Sequence, residues 1–207
     1  FEDAFKHAGA PDGLVTSLIM GHQTTEQVIE SGLIHHMAFT GSVASGRRIK
    51  ALAGNQFIET GLELGGKDPA YIREDANMET TISSVMDGVF YNGGQSCCAV
   101  ERIYVHESLF NEFVAGAIEC MNNLKIGDPM NDASNLGPLA QLSGITTINE
   151  QISDAENKGA KITRHAGPLP DGNNYLLPMI LTNVNHNMDI MMEESFGPVV
   201  GIMPVKS

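Results

Sequence analysis

The segment Tyr91-Asn92-Gly93-Gly94-Gln95-Ser96-Cys97-Cys98-Ala99 carries the side chain best suited to covalent chemistry. Gly93-Gly94 breaks a preceding helical pattern and lets the backbone turn tightly. A cysteine just past such a turn can be exposed at a strand end, where α/β enzymes place reactive groups. Backbone N–H groups in the turn favour a thiolate, the nucleophilic form of the side chain, and can then stabilise an oxyanion. Cys97 is therefore a candidate nucleophile.

The competing reading is ordinary packing, because a free cysteine usually behaves as a small buried hydrophobe. Cys120 fits that reading, since it lies in an amphipathic helical pattern. No metal site is expected. Cys97-Cys98 lacks the two-residue spacing of zinc ligands, no second ligand pair accompanies it, and His35-His36 reads as a surface pair.

Glu63 is the second candidate. It stands between Leu62 and Leu64 in an apolar strand pattern, directly before Gly65-Gly66. A partly buried carboxylate there has a raised pKa and can act as a general base near neutrality. The alternative turns the side chain to solvent on the polar face of the strand. The block Phe39-Thr40-Gly41-Ser42-Val43-Ala44-Ser45-Gly46 reads as strand, turn and helix start. A helix N-terminus favours phosphate, and Ser42 is placed to donate to a pyrophosphate oxygen. The spacing from Gly41 to Gly46 is G-x-x-x-x-G rather than G-x-G-x-x-G, with no P-loop lysine, so the block carries little specificity by itself.

These candidates need elements to position them. Apolar runs predict strands at Leu14–Met20, Met37–Thr40, Phe57–Leu64, Ala70–Ile72, Arg102–His106, Lys161–Arg164, Tyr175–Leu181 and Val199–Val205. Helical spacing predicts helices over Glu2–Ala8, His22–Gly32, Ser42–Ala53, Asn77–Tyr91, Ser108–Leu124 and Leu142–Gly159, with Pro168–Asn174 as a turn-rich stretch. Alternation of this kind points to an α/β fold with parallel strands. There is no repeat or low-complexity segment.

Composition narrows the function classes. The 207 residues carry 12 basic and 25 acidic side chains, a formal charge of −13 that argues against a nucleic-acid partner. No apolar run approaches the roughly 20 residues that span a bilayer, so no membrane association is expected. With 42% hydrophobic residues the chain can build a core, and three cysteines suit a reducing, cytoplasmic setting rather than a disulfide scaffold. Phe1 and Ser207 both fall inside structured patterns, which reads as a chain cut through structure. On that reading, unpaired strand edges predict poor cofactor binding and aggregation or dimerisation of the isolated chain.

Taken together, these segments resemble the aldehyde dehydrogenase superfamily over essentially the whole chain. Phe39-Thr40-Gly41-Ser42 with Gly46 is similar to its cofactor-phosphate turn. Leu62-Glu63-Leu64-Gly65-Gly66-Lys67 is similar to its general-base motif, and Asn92 through Cys97 to its nucleophile motif with a G-Q-x-C core. Glu193-Glu194-Ser195-Phe196-Gly197-Pro198 resembles its E-E-x-F-G-P motif. Ile126-Gly127-Asp128-Pro129 and Leu136-Gly137-Pro138-Leu139 are weaker matches.

The resemblance implies an NAD- or NADP-dependent enzyme that oxidises a small-molecule aldehyde to a carboxylic acid. Cys97 would attack the aldehyde carbon, its own N–H would help hold the oxyanion, and Glu63 would activate water. Ser42, Gly41, Gly46, Leu64 and Gly65 would border the cofactor. Glu194 would hold the nicotinamide ribose, with Phe196 near the ring. Members that pass the acyl group to coenzyme A generally lack the base, so Glu63 favours hydrolysis. Cys98 occupies a position that varies in the family. The resemblance also implies a Rossmann-like cofactor domain over residues 1–65 and a catalytic domain over 66–207, both incomplete, in a protein that forms dimers or tetramers. Upstream residues that complete the oxyanion hole and hold the adenosine ribose have no counterpart here. Competing readings are a cofactor-independent thiol esterase and an inactive structural fragment.

Overall fold

The computed structural model describes residues 1–172 and 174–206. Asn173, inside the expected turn-rich stretch, and Ser207, the expected end of the second domain, lie outside the described residues. The chain divides into two compact units, Phe1–Leu64 and Gly65–Ser207.

In the first unit, α1 (Glu2–His7) and α2 (His22–Glu30) precede β1 (His36–Gly41), α3 (Val43–Asn55) and β2 (Glu59–Leu64). Strands β1 and β2 pair in parallel, with Thr40 opposite Glu63 and Gly41 opposite Leu64. Ser42 caps α3 by accepting a hydrogen bond from Ser45 N at 3.2 Å, which satisfies one of the orphan amides of the first turn. Ile29, Ile49, Leu52, Ala53 and Ile58 form a small core, with Phe39 and Leu62 packed against it. The strand expected at Leu14–Met20 does not form: the segment bends at Leu14-Val15 and joins no strand among the described residues, and Leu14, Leu18 and Ile19 are largely exposed. An apolar run becomes a strand only when a neighbour satisfies its backbone, and β1 and β2 pair only with each other.

The second unit is a five-stranded sheet ordered β3-β4-β7-β6-β5 with helices on both faces. Its strands are β3 (Asp68–Ile72), β4 (Val100–His106), β5 (Lys161–Arg164), β6 (Met179–Thr182) and β7 (Val199–Val205). All pairs are parallel except β5 with β6, so the sheet is mixed rather than wholly parallel. Helix α4 (Met78–Phe90), capped by Asn77, and α5 (Phe110–Asn122) cover one face. Met86, Val89, Phe113, Ala117 and Met121 pack there against Ile103, Val105, Val200 and Ile202. Helix α6 (Leu142–Asn157) and the short α7 (Asp189–Met192), which the apolar pattern did not suggest, cover the other face. There Ile148, Ile152, Ile190 and Met191 pack on Met179, Leu181 and Val199. Fully burying side chains of this size stabilises the unit by roughly 1.5–3 kcal/mol each. The run expected at Tyr175–Leu181 shortens to Met179–Thr182 because only those residues pair with β5. No helix among the described residues is long and apolar enough to cross a membrane.

Candidate active site

Three motif segments of the second unit meet at one edge of its sheet. Gly65-Gly66-Lys67 runs into β3, Gln95 through Ala99 into β4, and Glu193 through Pro198 into β7. Because β3, β4 and β7 are parallel, these segments share the amino-terminal edge. That differs from the usual carboxyl-edge placement in open α/β sheets. In the first unit the motif residues take the ordinary place, since Gly41 and Leu64 end the paired strands β1 and β2. Only Gly65, Gly66 and Lys67 separate the end of β2 from the start of β3.

The nucleophile segment leaves α4 through a short left-handed turn. Asn92, Gly93 and Gly94 have φ of 52°, 65° and 72°. Glycine takes such angles at no steric cost, and asparagine tolerates them better than most residues. Asn92 Nδ2 donates to the Gln95 carbonyl at 3.0 Å, which helps hold the turn. Cys97 and Cys98 then occupy the centre of a second turn closed by Ala99 N donating to Ser96 O at 3.1 Å, and both are exposed. Cys120 is only partly exposed, packs against the core over α5, and burial pushes its thiol up from the ordinary 9.0. Geometry thus separates an accessible pair from a packing cysteine.

Gln95 locks the nucleophile segment to the loop before α6. Its Oε1 accepts from Ala140 N at 2.8 Å, while its Nε2 donates to Asn92 O at 3.1 Å and to Pro138 O at 3.4 Å. The two weaker motif blocks build that loop, where Ile126 bridges Leu136. Gly94 presses directly on the 193–198 segment, since a Cβ there would overlap the Gly197 carbonyl.

Glu194 and Phe196 project from the same segment. Phe196 has φ of 51°, unusual for a bulky residue, and the residue is 43% exposed. The Glu194 carboxylate lies over Gly65, where any Cβ would collide with it. Burial, and next the Glu101 charge, raise its pKa above the ordinary 4.5, opposed by the Gly66 amide and by Lys67. Glu194, Phe196, Gln95, Leu139, Gln141 and Thr147 help line a cavity of about 360 Å³.

Beneath this segment lies a polar network that strand patterning had passed over. Lys67 Nζ donates to Glu101 Oε2 at 2.7 Å and to Ser195 Oγ at 2.9 Å, and both charged side chains are buried. Burial pulls the Lys67 ammonium below its ordinary 10.5, while Glu101 acts to restore it. The signal was present in the sequence: Glu101, Ile103 and Val105 alternate on the buried face of β4, so Glu101 is a charge at a core position.

In the first unit, Glu63 is exposed rather than partly buried. The strand alternates strictly, with Thr60, Leu62 and Leu64 turned inward and Glu63 outward on the polar face. The Ser42 hydroxyl is engaged within its own turn, donating to Ser45 Oγ at 3.1 Å as well as capping the helix. Gly46 lets α3 pack on β2, since a Cβ there would stand 2.5 Å from Leu64 Cδ2. His35 and His36 are both exposed.

Each unit, taken by itself, holds groups whose chemistry fits part of a dinucleotide. The 13-residue α3 presents a positive end at Ser42, which suits a pyrophosphate. The Glu194 carboxylate is an acceptor for sugar hydroxyls, in space that only a glycine at 65 leaves open.

The chain is 32% identical over 200 residues to succinate-semialdehyde dehydrogenase [NADP(+)] 1 of Mycobacterium ulcerans, covering 97% of this chain and 44% of that protein. It is 32% identical over 210 residues to D-glyceraldehyde dehydrogenase (NADP(+)) of Thermoplasma acidophilum, covering 98% and 42%. The fold superposes on betaine aldehyde dehydrogenase of Staphylococcus aureus, solved in complex with NAD+, with a TM-score of 0.90, 28% identity and coverage of 99% and 42%. The chain thus spans less than half the length of these relatives. The sequence matches the aldehyde dehydrogenase family over residues 1–207, and with the motif segments gathered on one sheet edge this chain belongs to that family.

Proposed function

We propose that the protein carrying this chain oxidises a small-molecule aldehyde to its carboxylic acid with NAD or NADP. The observation that carries the reading is the contact between the Gly94 and Gly197 backbones, which brings the Cys97 turn and the Glu194–Phe196 segment together on one sheet edge. A nicotinamide dinucleotide, when bound, supplies the acceptor for the hydride that leaves the aldehyde carbon. Ser42 and the start of α3 hold its pyrophosphate, with Gly41, Gly46, Leu64 and Gly65 bordering it. Glu194 accepts from the ribose hydroxyls, and Phe196 packs near the ring.

The protein's own residues do the rest. Cys97 adds its thiolate to the carbonyl carbon, and its backbone N–H steadies the oxygen as a thiohemiacetal forms. Once oxidised, the carbon stays bound to sulfur as a thioester. Glu63 accepts a proton from the water that attacks it, the acid leaves, and the thiolate is restored. The likeness of Leu62-Glu63-Leu64-Gly65-Gly66-Lys67 to the family's general-base motif supports this role. A carboxylate at this position favours water over coenzyme A as acceptor.

Family membership also supports a cofactor domain ending near Gly65, a catalytic domain from Gly66, assembly as a dimer or tetramer, and a cytoplasmic setting. Full-length protein mixed with aldehyde and NAD or NADP should raise the absorbance of reduced cofactor, and Cys97→Ala should abolish the rise. Unchanged turnover in that variant refutes the nucleophile assignment. Ester hydrolysis without cofactor, in the absence of aldehyde oxidation, would favour a thiol esterase instead.

A further inference from the structure

Glu101 does more than balance a buried lysine. Its Oε2 accepts from Ser195 N at 2.8 Å as well as from Lys67, and its Oε1 accepts from Phe196 N at 2.8 Å. One carboxylate therefore takes two successive backbone amides and an ammonium. Two successive amides converge on one anion when a residue of the turn adopts a left-handed conformation. Phe196, at φ of 51°, is that residue. The conformation is unfavourable for an aromatic side chain and persists where surrounding contacts over-determine it. Gln151 completes the hold from α6: its Oε1 accepts from Ser195 Oγ at 2.6 Å, and its Nε2 donates to Glu194 O at 3.0 Å.

We propose that Glu101 is a positioning residue for cofactor binding: by clamping the Ser195 and Phe196 amides, with Lys67 as its counter-charge, it aims the Glu194 carboxylate and the Phe196 ring. This rests on the reading of Glu194 and Phe196 as cofactor-holding residues. Glu101 is buried and does not line the cavity beside Glu194 and Phe196. Its influence passes through the backbone between the two side chains it aims.

The test compares Glu101→Gln with Glu194→Gln in the full chain of the protein. A glutamine at 101 keeps the shape but turns an NH2 group toward one of the three donors that the carboxylate accepts, so the clamp opens. The expected result is a KM for the nicotinamide dinucleotide raised at least tenfold. kcat at saturating cofactor, and the rate at which iodoacetamide alkylates Cys97 without cofactor, should stay within threefold of the parent. A merely structural role would lower the melting temperature and leave the KM in place, which overturns the proposal. If Glu101→Gln does not fold, Glu101→Asp carries the test, since it keeps the charge but draws it back by one methylene. A cofactor KM within twofold of the parent in that variant overturns the proposal. The underlying reading fails separately, if Glu194→Gln leaves the cofactor KM unchanged. A raised KM in Glu194→Gln with none in the Glu101 variants defeats the clamp alone.

Discussion

The backbones of Gly94 and Gly197 touch, so that no side chain separates the turn before Cys97 from the segment bearing Glu194 and Phe196 at that point. A Cβ at 94 would overlap the Gly197 carbonyl, whereas at Gly93 the nearest atom would be Gln95 Nε2 at 3.3 Å, a side-chain end rather than backbone. Adjacent glycines with nearly equal φ therefore have different structural roles.

Alanine at the two positions should separate conformational strain from collision. At Gly93 the cost is the left-handed backbone, about 1 kcal/mol, plus a shift of the Gln95 amide by a few tenths of an ångström. At Gly94 the same strain adds to a backbone clash that no side-chain movement relieves, for a total of about 3 kcal/mol or more. At about 2–4 °C per kcal/mol, thermal melts should show Gly94→Ala falling several degrees further than Gly93→Ala. Equal shifts would show that the loops move apart freely.

Alkylation should follow exposure. Cys97 and Cys98 are exposed, while Cys120 is part-buried with a raised pKa, so less of it is thiolate at neutral pH. Brief iodoacetamide treatment of native protein, read by peptide mass spectrometry, should label Cys97 or Cys98 well before Cys120. Denaturant should remove the difference. Early labelling of Cys120 would contradict its packed position over α5.

Gly65→Ala should spare the fold and damage the site. The atoms a new Cβ would meet belong to the Glu194 carboxylate, the far end of a side chain that can swing away. Stability should change by about 1 kcal/mol or less. Cofactor affinity, measured by titration of protein fluorescence, should fall about tenfold or more as the carboxylate leaves its place. A large loss of stability with unchanged affinity would reverse that assignment.

The raised pKa of Glu194 carries two pH dependences of opposite sense. A carboxyl whose folded pKa exceeds the unfolded value contributes stability that is fully present below that ordinary 4.5 and is lost as pH rises through the folded value. In the proposed role the ionised Glu194 is the stronger acceptor for ribose hydroxyls, so cofactor binding should strengthen over the same rise. Glu194→Gln should flatten both profiles. Melting curves and cofactor titrations at stepped pH, run on parent and variant, would show whether the two dependences share one titration.

By itself the sequence determined the element types, the α/β class and the ordered motifs. Local periodicity and turn chemistry encode all three: the helical patterns begin at Ser42 and Asn77, which cap α3 and α4, and Gly93-Gly94 ends the helix at the nucleophile segment. Only the tertiary structure decided which apolar runs become strands, because pairing depends on partners distant in the chain. Leu14–Met20 stayed unpaired for want of one. It also placed the second unit's motifs on the amino edge of its sheet and turned Glu63 outward. Above all it gave Glu101 its partners, since Ser195 stands 94 residues away and no local pattern records that contact. A charge on the buried face of β4 is visible in the alternation of Glu101, Ile103 and Val105. What satisfies that charge is a loop, and loop contacts follow from packing between distant segments rather than from local spacing.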